Sequence, residues 1–412
     1  MIVAVVPNLG DKLVNGSNKE PNAAAWEGDM AALEQDIRVI KAERPPQRFA
    51  RGWHCLGIAD SFRDGKAHSL DVFGTRVAVF EDSTGALRVI DAYCPHMGAD
   101  LGEGTIKGDT LACPFHGWQW GGDGKCKAIP YATRVPPRAR IKSWPTLIEN
   151  KQLFIWHDVE GSLPTPEVTI PHIEECFNGE WSEWIWETVK IDTNCRELID
   201  NVADMAHFYY VHGARATYFK NTFDKHVARQ EMRGKPRADL KVTGDAMDFG
   251  GSEVVIEELY SVATYYGPSY MIDYLTSTVN GMQVEAYLIN CHVPIDHDSF
   301  TLHVGLMVKK LPFLDDEMNA QIAQMYAKGN RDGFFQDVAI WKTKTRIDNP
   351  LLCEADGPIY QLRRWYEQFY VDIADVTPDM VDRFEVEMDL TKSNEMWVAD
   401  EAANKAAQQA AE

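Results

Sequence analysis

The sequence has no long hydrophobic run and no excess of positive charge. Its opening, MIVAVV, is only six apolar residues long, lacks a basic start and soon reaches Pro7. It therefore predicts neither a signal peptide nor a membrane span, and no later stretch is long enough for one. The net charge of −21 over 412 residues argues against nucleic acid or an anionic membrane as the main partner, since both would repel the chain.

Cysteine is present, but without the spacing of a disulfide framework. Of the eight cysteines, the six other than Cys94 and Cys113 are scattered along the chain, which predicts a reducing, cytoplasmic location. Neither GxGxxG nor a flavin fingerprint occurs, so we expect no bound nicotinamide or flavin. We find no internal repeat.

The pattern of strands and helices predicts an α+β protein with two domains. Short β-branched runs (TRVAVFED, ALRVIDAY, KQLFIWHD) predict a small all-β domain. After a Pro-rich link, long strands and helical stretches at 194–212 and 316–345 predict an antiparallel sheet packed against helices. The predicted boundaries are 1–47 (arm and helix), 48–164 (all-β domain), 165–398 (α+β domain) and 399–412 (flexible tail). The N-terminal helix rests on the apolar pattern Ala25, Met30, Leu33, Ile37 and Ile40.

The most informative segment is CPHMGADLGEGTIKGDTLACPFH, in which C-x-H and C-x2-H are separated by sixteen residues. Two thiolates (Cys94, Cys113) and two imidazoles (His96, His116) in this mixed order suit a two-iron, two-sulfur (2Fe-2S) cluster of the Rieske type, an electron relay. A structural zinc site is the alternative, but zinc fingers keep the cysteine pair and the histidine pair on separate turns.

A second candidate metal site lies in DNVADMAHFYYVHG. One predicted helix there carries Asp200, Asn201, Asp204, His207 and His212. Histidines five residues apart share no face of an ideal helix, so they need a local bulge or an early helix end to meet. Asp204 can accept the His207 ring N–H that does not face a metal. The same residues also fit an ordinary packed or surface group, but an electron relay needs a destination for its electrons.

A third ligand should be a carboxylate, since two histidines and one carboxylate leave open positions for oxygen at ferrous iron. Asp337 is the best candidate, because it sits on an apolar helix face where a buried acid needs a partner. Asp332 and Asp348 have solvent or capping explanations instead. The alternative role for Asp337 is a buried salt bridge to Lys342 or Lys344.

The cluster loop, the DNxxDxxHxxxxH segment and the late aspartate occur in the order typical of oxygenase components of Rieske non-haem iron oxygenases, and the chain resembles that family. More narrowly, over residues 48 to about 395 it is similar to the 3-ketosteroid 9α-hydroxylase oxygenases. The run QDVAIWKTKTRIDNPLLCEADGPIYQLRRWYEQFYVD carries most of that similarity, with RFARGWHCLG, GPSYMIDY and LINCHVPI.

The resemblance implies a Rieske domain followed by a helix-grip (START-like) domain, in which a curved sheet and a long helix enclose an apolar tunnel. It implies that His207, His212 and Asp337 bind one mononuclear Fe(II), with O2 as co-substrate. Asp204 and Asn201 become the candidate catalytic residues. In head-to-tail homotrimers of the family, Asp204 would bridge to a cluster histidine of the neighbouring subunit, here expected to be His116.

The implied substrate is a 3-ketosteroid hydroxylated at its 9α carbon during steroid catabolism. Electrons would come from NADH through a separate flavin and iron-sulfur reductase. The matching pocket positions are mostly large and apolar, as a flat steroid requires, although such residues also form ordinary cores. They are Val202, Gln230, Tyr265, Met271, Asp273, Asn290, Phe334 and Trp341.

Three other functions stay open at this point. The chain could be a Rieske oxygenase for another sterol or a bulky aromatic compound. It could be an electron-transfer protein that uses only its cluster. It could also be a lipid-binding module that has lost its iron, since folds of this kind can bind lipid without chemistry; the intact triad counts against that.

Overall fold

The computed structural model describes residues 38–42, 46–240, 256–279 and 281–411. The predicted N-terminal helix therefore lies outside the described residues up to Ile37. Its last position, Ile40, belongs to the segment 38–42, which is neither helix nor strand, so the prediction is wrong there. The Lys41 amide in this segment instead donates a hydrogen bond of 3.0 Å to the Asn349 side chain.

The first part of the described chain folds into small antiparallel sheets. Its strands are β1 Gly52–Ile58, β2 His68–Val72, β3 Thr75–Glu81, β4 Leu87–Asp91, β5 Thr105–Lys107, β6 Thr110–Ala112, β7 Gln119–Gly121, β8 Cys126–Ala128, β9 Thr146–Glu149 and β10 Gln152–His157. They form sheets of order β1-β10-β9, β2-β3-β4 and β5-β6-β7-β8. The three runs predicted as strands form β3, β4 and β10.

The second part is built on one eight-stranded antiparallel sheet of order β11-β17-β16-β15-β14-β13-β12-β18. The bounds of these strands are β11 Ile185–Ile191, β12 Ala214–Asp224, β13 Val227–Pro236, β14 Ile256–Tyr266, β15 Tyr270–Val279, β16 Met282–Pro294, β17 Phe300–Val308 and β18 Phe384–Glu387. Small β sheets followed by a large sheet with helices confirm the predicted α+β class.

Strand register aligns side chains in rows across one face of the large sheet. Gln230 pairs with Ala263, Ala263 pairs with Asp273, and Asp273 pairs with Leu288. Because side chains alternate between faces along a strand, the row two positions further on faces the same side. That second row consists of Tyr265, Met271 and Asn290. Predicted pocket residues from four strands thus share one face.

The described helices are α1 Arg196–Ile199, α2 Ala206–Tyr210, α3 Asp316–Trp341, α4 Ile359–Glu367, α5 Pro378–Val381 and α6 Thr391–Ala411. The long helix α3 packs against β11 and β17 and begins where the Asp315 side chain accepts a hydrogen bond of 2.8 Å from the Met318 amide. None of the described helices is long and apolar enough to cross a membrane.

The structure corrects the predicted helix over 194–212, which is not continuous. A 3-10 turn at Asp200–Val202 separates α1 from α2. The Val202 carbonyl accepts a hydrogen bond of 2.8 Å from the Asn221 side chain, so a neighbouring strand satisfies a group that an unbroken helix would use internally. Helix α3 also ends earlier than the predicted residue 345.

The C-terminal residues form helix α6 rather than the predicted flexible tail. Glu401 is buried and lies 3.0 Å from Arg215. Asn404 and Gln408 donate hydrogen bonds to Asp239, at 2.8 and 3.1 Å. A helix brings residues at these spacings to one face, and its many alanines favour helix, so composition misled the prediction.

Candidate metal centres and the cavity between sheet and helix

The four predicted cluster ligands lie on two loops with the same backbone geometry. In the loop between β4 and β5, the Cys94 amide donates to Ala99 and its carbonyl accepts from Gly98, at 2.9 and 2.7 Å. In the loop between β6 and β7, Cys113 makes the matching bonds with Trp118 and Gly117, at 2.8 and 2.9 Å. Both glycines have positive φ, 79° and 70°, which a residue with a Cβ adopts at a cost.

The side chains on these loops converge. The rings of His96 and His116 are 4.7 Å apart, and Trp118 stacks on His96 at 4.6 Å. The Nδ1 atoms of both histidines are buried and have no hydrogen-bond partner. Burial, together with the nearby Cys113 sulfur, raises the pKa of the Cys94 thiol. Two adjacent thiols and two unpartnered imidazoles fit a Rieske-type 2Fe-2S cluster.

The three predicted iron ligands meet between α2 and α3. Their potential ligand atoms all lie within 4.8 Å of one another, and His212 Nε2 is 3.1 Å from Asp337 Oδ2. The His207 carbonyl accepts hydrogen bonds from the Val211 and His212 amides, at 2.7 and 3.4 Å. The longer of these spans five residues, so the widened turn that ends α2 brings His212 to the side of His207.

The hydrogen bond that orients the His207 ring differs from the predicted one. Its Nδ1 hydrogen-bonds the backbone carbonyl of Asp204, while the Asp204 carboxylate lies 4.0 Å from that nitrogen. A carbonyl can only accept, so Nδ1 carries the proton and Nε2 is free for a metal. The Asp204 side chain stays 44% exposed and is not used to hold the ring.

Charge and burial at the triad also suit a metal. Burial, with the neighbouring His212, lowers the pKa of His207, which favours the neutral ring that a metal requires. Asp337 is 5% exposed. In the described part of the chain no salt bridge joins it to Lys342 or Lys344; Lys344 pairs with Glu197 at 2.9 Å instead. His207, His212 and Asp337 fit a two-histidine, one-carboxylate iron site.

A cavity opens beside the triad, between the sheet and α3. Seven of the eight predicted pocket residues line it, and Asn201 does too. The exception is Trp341, which is buried behind the wall and packs edge-on against Phe334 at 5.4 Å. Sequence reasoning missed the other lining residues Leu198, Phe208, Ser261, Ala263, Leu288 and Asn330. Strand pairing with Asp273 would have pointed to Ala263 and Leu288.

The cavity is mostly apolar, with a few polar groups that lack partners. Gln230 Nε2 and Asn290 Oδ1 are buried without a hydrogen bond, so both are available to a ligand. Asp273 accepts a hydrogen bond of 2.8 Å from Ser261, and burial raises its pKa to about 6. These groups can orient a largely apolar molecule by its polar ends.

Comparison with known proteins identifies the family of both parts of the chain. A family model of the Rieske 2Fe-2S domain matches residues 52–145, and one of the 3-ketosteroid 9alpha-hydroxylase C-terminal domain matches 155–370. The 3-ketosteroid-9-alpha-monooxygenase oxygenase component of Mycolicibacterium smegmatis is 52% identical over 384 residues, covering 93% of this chain and 98% of the relative. A relative of the same name from Rhodococcus rhodochrous is 54% identical, covering 89% and 95%.

Solved structures share the fold at much lower identity. Dicamba monooxygenase bound to 3,6-dichlorosalicylic acid superposes with a TM-score of 0.64 at 18% identity, covering 80% of this chain and all of that one. The caffeine-bound NdmA of Pseudomonas putida CBB5 superposes with a TM-score of 0.62 at 16% identity, covering 81% of this chain and 96% of NdmA. The close relatives and both family models show that the chain belongs to the Rieske oxygenase family of 3-ketosteroid-9-alpha-monooxygenase oxygenase components.

Proposed function

We propose that this chain is the terminal oxygenase that hydroxylates the 9α carbon of 3-ketosteroids. The observation that carries the proposal is the triad of His207, His212 and Asp337 at the wall of an apolar cavity, in a chain that also holds cluster-binding loops. Relatives more than 50% identical over about nine-tenths of the chain bear the name of this activity.

Two groups of residues would hold the cofactors. Cys94, Cys113, His96 and His116 would hold the 2Fe-2S cluster, and the triad would hold one Fe(II). When bound, the cluster supplies single electrons and the ferrous iron supplies the activation of O2. The chain's own contribution is to exclude water from the triad and to fix the His207 ring through the Asp204 carbonyl.

The chain would work as a homotrimer in which electrons cross between subunits. Within one subunit the Asp204 carboxylate is left exposed and could reach the neighbour's His116. The cluster loops carry exposed apolar side chains, Met97 and Phe115, which a partner surface would cover. A separate reductase that uses NADH, flavin and iron-sulfur would supply the electrons, in the cytoplasm.

The cavity would bind the steroid by shape and by a few polar contacts. Its walls are mostly apolar side chains such as Val202, Met271 and Phe334, which suit the ring system. The unpartnered Gln230 amide can donate a hydrogen bond to a ketone, and Asn290 and Asp273 offer further polar contacts. Trp341 would support Phe334 from behind rather than touch substrate.

The test is a single turnover with a defined steroid. The protein is reduced anaerobically, mixed with O2 and androstadienedione, and the product is analysed by mass. We expect a product with one added oxygen or its ring-opened isomer. If no product forms and the protein holds about three irons per chain, the chain is an oxygenase for another sterol or aromatic substrate. If no product forms and the protein holds about two irons per chain, it is an electron carrier.

A further inference from the structure

A second cavity adjoins the one beside the triad. It is lined by residues of β11, β16, β17 and α3. Leu288 and Asn330 line both cavities, so the two cavities meet at these two side chains. Since β11 is the edge strand of the sheet, the second cavity leads from the triad cavity toward the edge of the domain.

The walls of the second cavity are mainly hydrocarbon. Its apolar residues are Ile185, Leu288, Val304, Leu306, Met325 and Ala327. The floor crosses three adjacent strands, β16, β17 and β11, which spans about 10 Å at the usual strand spacing. That length accommodates an extended alkyl chain, and the flexible Met325 side chain can adapt to its branches.

The polar residues of the second cavity carry little net charge. Arg331 Nε lies 3.4 Å from Glu187, and Lys328 Nζ lies 3.8 Å from Asp332. Each cation therefore has a carboxylate close by, and the pairs give an anionic ligand no net attraction. Where the two cavities meet, Asn330 Oδ1 is buried without a hydrogen bond, while its Nδ2 donates to the Tyr326 carbonyl at 2.9 Å. That free oxygen lies where a ligand spanning both cavities would pass.

We propose that the second cavity binds the apolar side chain of a steroid whose rings lie in the triad cavity. This inference rests on the proposed function and narrows its substrate class to 3-ketosteroids that keep a long alkyl chain on the ring opposite the ketone. The compensated charges favour a hydrocarbon end over a carboxylate or a charged thioester.

The experiment fills the second cavity without touching the first. Ala327 lines the second cavity but not the first. Ala327→Phe should therefore obstruct binding of the alkyl chain and leave binding of the rings unchanged. We expect KM for cholestenone to rise by about tenfold or more, while KM for androstenedione changes by less than about twofold. Equilibrium dialysis of the oxidised protein against each steroid should give the same difference in Kd. Gln321→Phe, at an exposed position of α3, is the matched control and should change neither.

Other outcomes would overturn the inference in distinguishable ways. If Ala327→Phe raises KM equally for both steroids, the substitution acts on the ring cavity. If it changes KM for neither steroid, the second cavity is not used for binding. Wild-type protein that hydroxylates androstenedione but neither binds nor hydroxylates cholestenone would reject the side-chain site and leave the proposed function standing. Wild-type protein inactive on both would reject the proposed function itself.

Discussion

The two candidate metal centres are assembled in different ways. The cluster ligands lie within residues 94–116, on two loops with matching backbone hydrogen bonds. The triad joins His207 and His212 at one short helix to Asp337 on a long helix far along the chain. The cluster histidines are partly exposed, whereas His212 and Asp337 are 3% and 5% exposed.

This difference matches the task that each centre would have. A relay must be close to the protein surface, because its electrons come from and go to other chains. A site that activates O2 is better kept dry, since a dry site strengthens its electrostatic interactions and limits side reactions. The two centres should therefore fail independently when either is damaged.

The largest expected effect is the loss of one centre alone. His207→Ala removes a triad residue that lies outside the cluster loops. We expect turnover to fall to background and iron content to fall by about one third, while the Rieske visible spectrum persists. His172→Ala, at an exposed histidine outside both centres, should leave iron and turnover unchanged. Disappearance of the visible spectrum in His207→Ala would mean that the two sites are misassigned.

The next largest effect concerns the link between the centres. Asp204→Asn changes the exposed carboxylate but keeps the backbone carbonyl that holds His207. Both iron signals should therefore remain, and turnover should fall by about a hundredfold, the upper end of the range for mutations of residues that contact a metal ligand. Rapid mixing of the reduced protein with O2 and steroid, alongside iron analysis, checks this. Wild-type turnover in this variant would exclude transfer through the Asp204 carboxylate.

The junction between the two parts of the molecule should be sensitive to acid. Burial lowers the pKa of His54 and His303 to about 4 and that of His157 and His292 to about 3. In the unfolded chain these four histidines bind protons below about pH 6.5, whereas in the folded chain they stay neutral down to about pH 4. The free energy of unfolding is therefore highest above pH 6.5 and decreases as the pH falls toward 4.

We expect each of these histidines to cost about 2 kcal/mol of unfolding free energy between pH 6.5 and pH 5. Urea titrations at several pH values measure this loss. His303→Gln should reduce the total loss by about 2 kcal/mol, because the other three histidines remain. A dependence that His303→Gln leaves unchanged would assign the acid sensitivity to other groups.

The smallest effect concerns substrate recognition at Asp273. Below about pH 6 its carboxyl group can donate a hydrogen bond to a ketone, and above that pH the carboxylate can only accept one. Nearby Tyr326, whose pKa burial raises to about 12, stays neutral over this range. If a substrate ketone meets Asp273, kcat/KM for the ketone relative to the matching hydroxysteroid should fall by up to about tenfold per pH unit above pH 6.

Asp273→Asn should remove this dependence, because an amide donates at every pH. The ratio of two substrates cancels pH effects on electron delivery, which act on both. A ratio that stays flat in the wild-type protein would mean that the carboxyl group does not contact the oxygen atom that differs between the two steroids.

Several predictions from sequence were correct because they depended on local patterns. Alternating β-branched runs identified β3, β4 and β10. Asp337, chosen as an acid on an apolar helix face, lies beside His207 and His212, and its role as a ligand stays a prediction. Errors arose where distant contacts decide. Trp341 shares a helix with Phe334, but how α3 is rotated against the sheet places only Phe334 on the cavity wall. The alanine-rich C-terminus was expected to be flexible, yet Asp239 and Arg215 hold it as α6.

The amino-acid order alone was sufficient to select the four candidate cluster ligands, because they and their turn residues lie within two short loops whose geometry is local. It was also sufficient for the fold class, through the periods of strands and helices. Only the folded chain decides that α2 ends in a widened turn, that a carbonyl rather than a carboxylate holds His207, and that two cavities meet at Leu288 and Asn330. These features depend on contacts between residues far apart in sequence, whose geometry is set by packing of the whole domain.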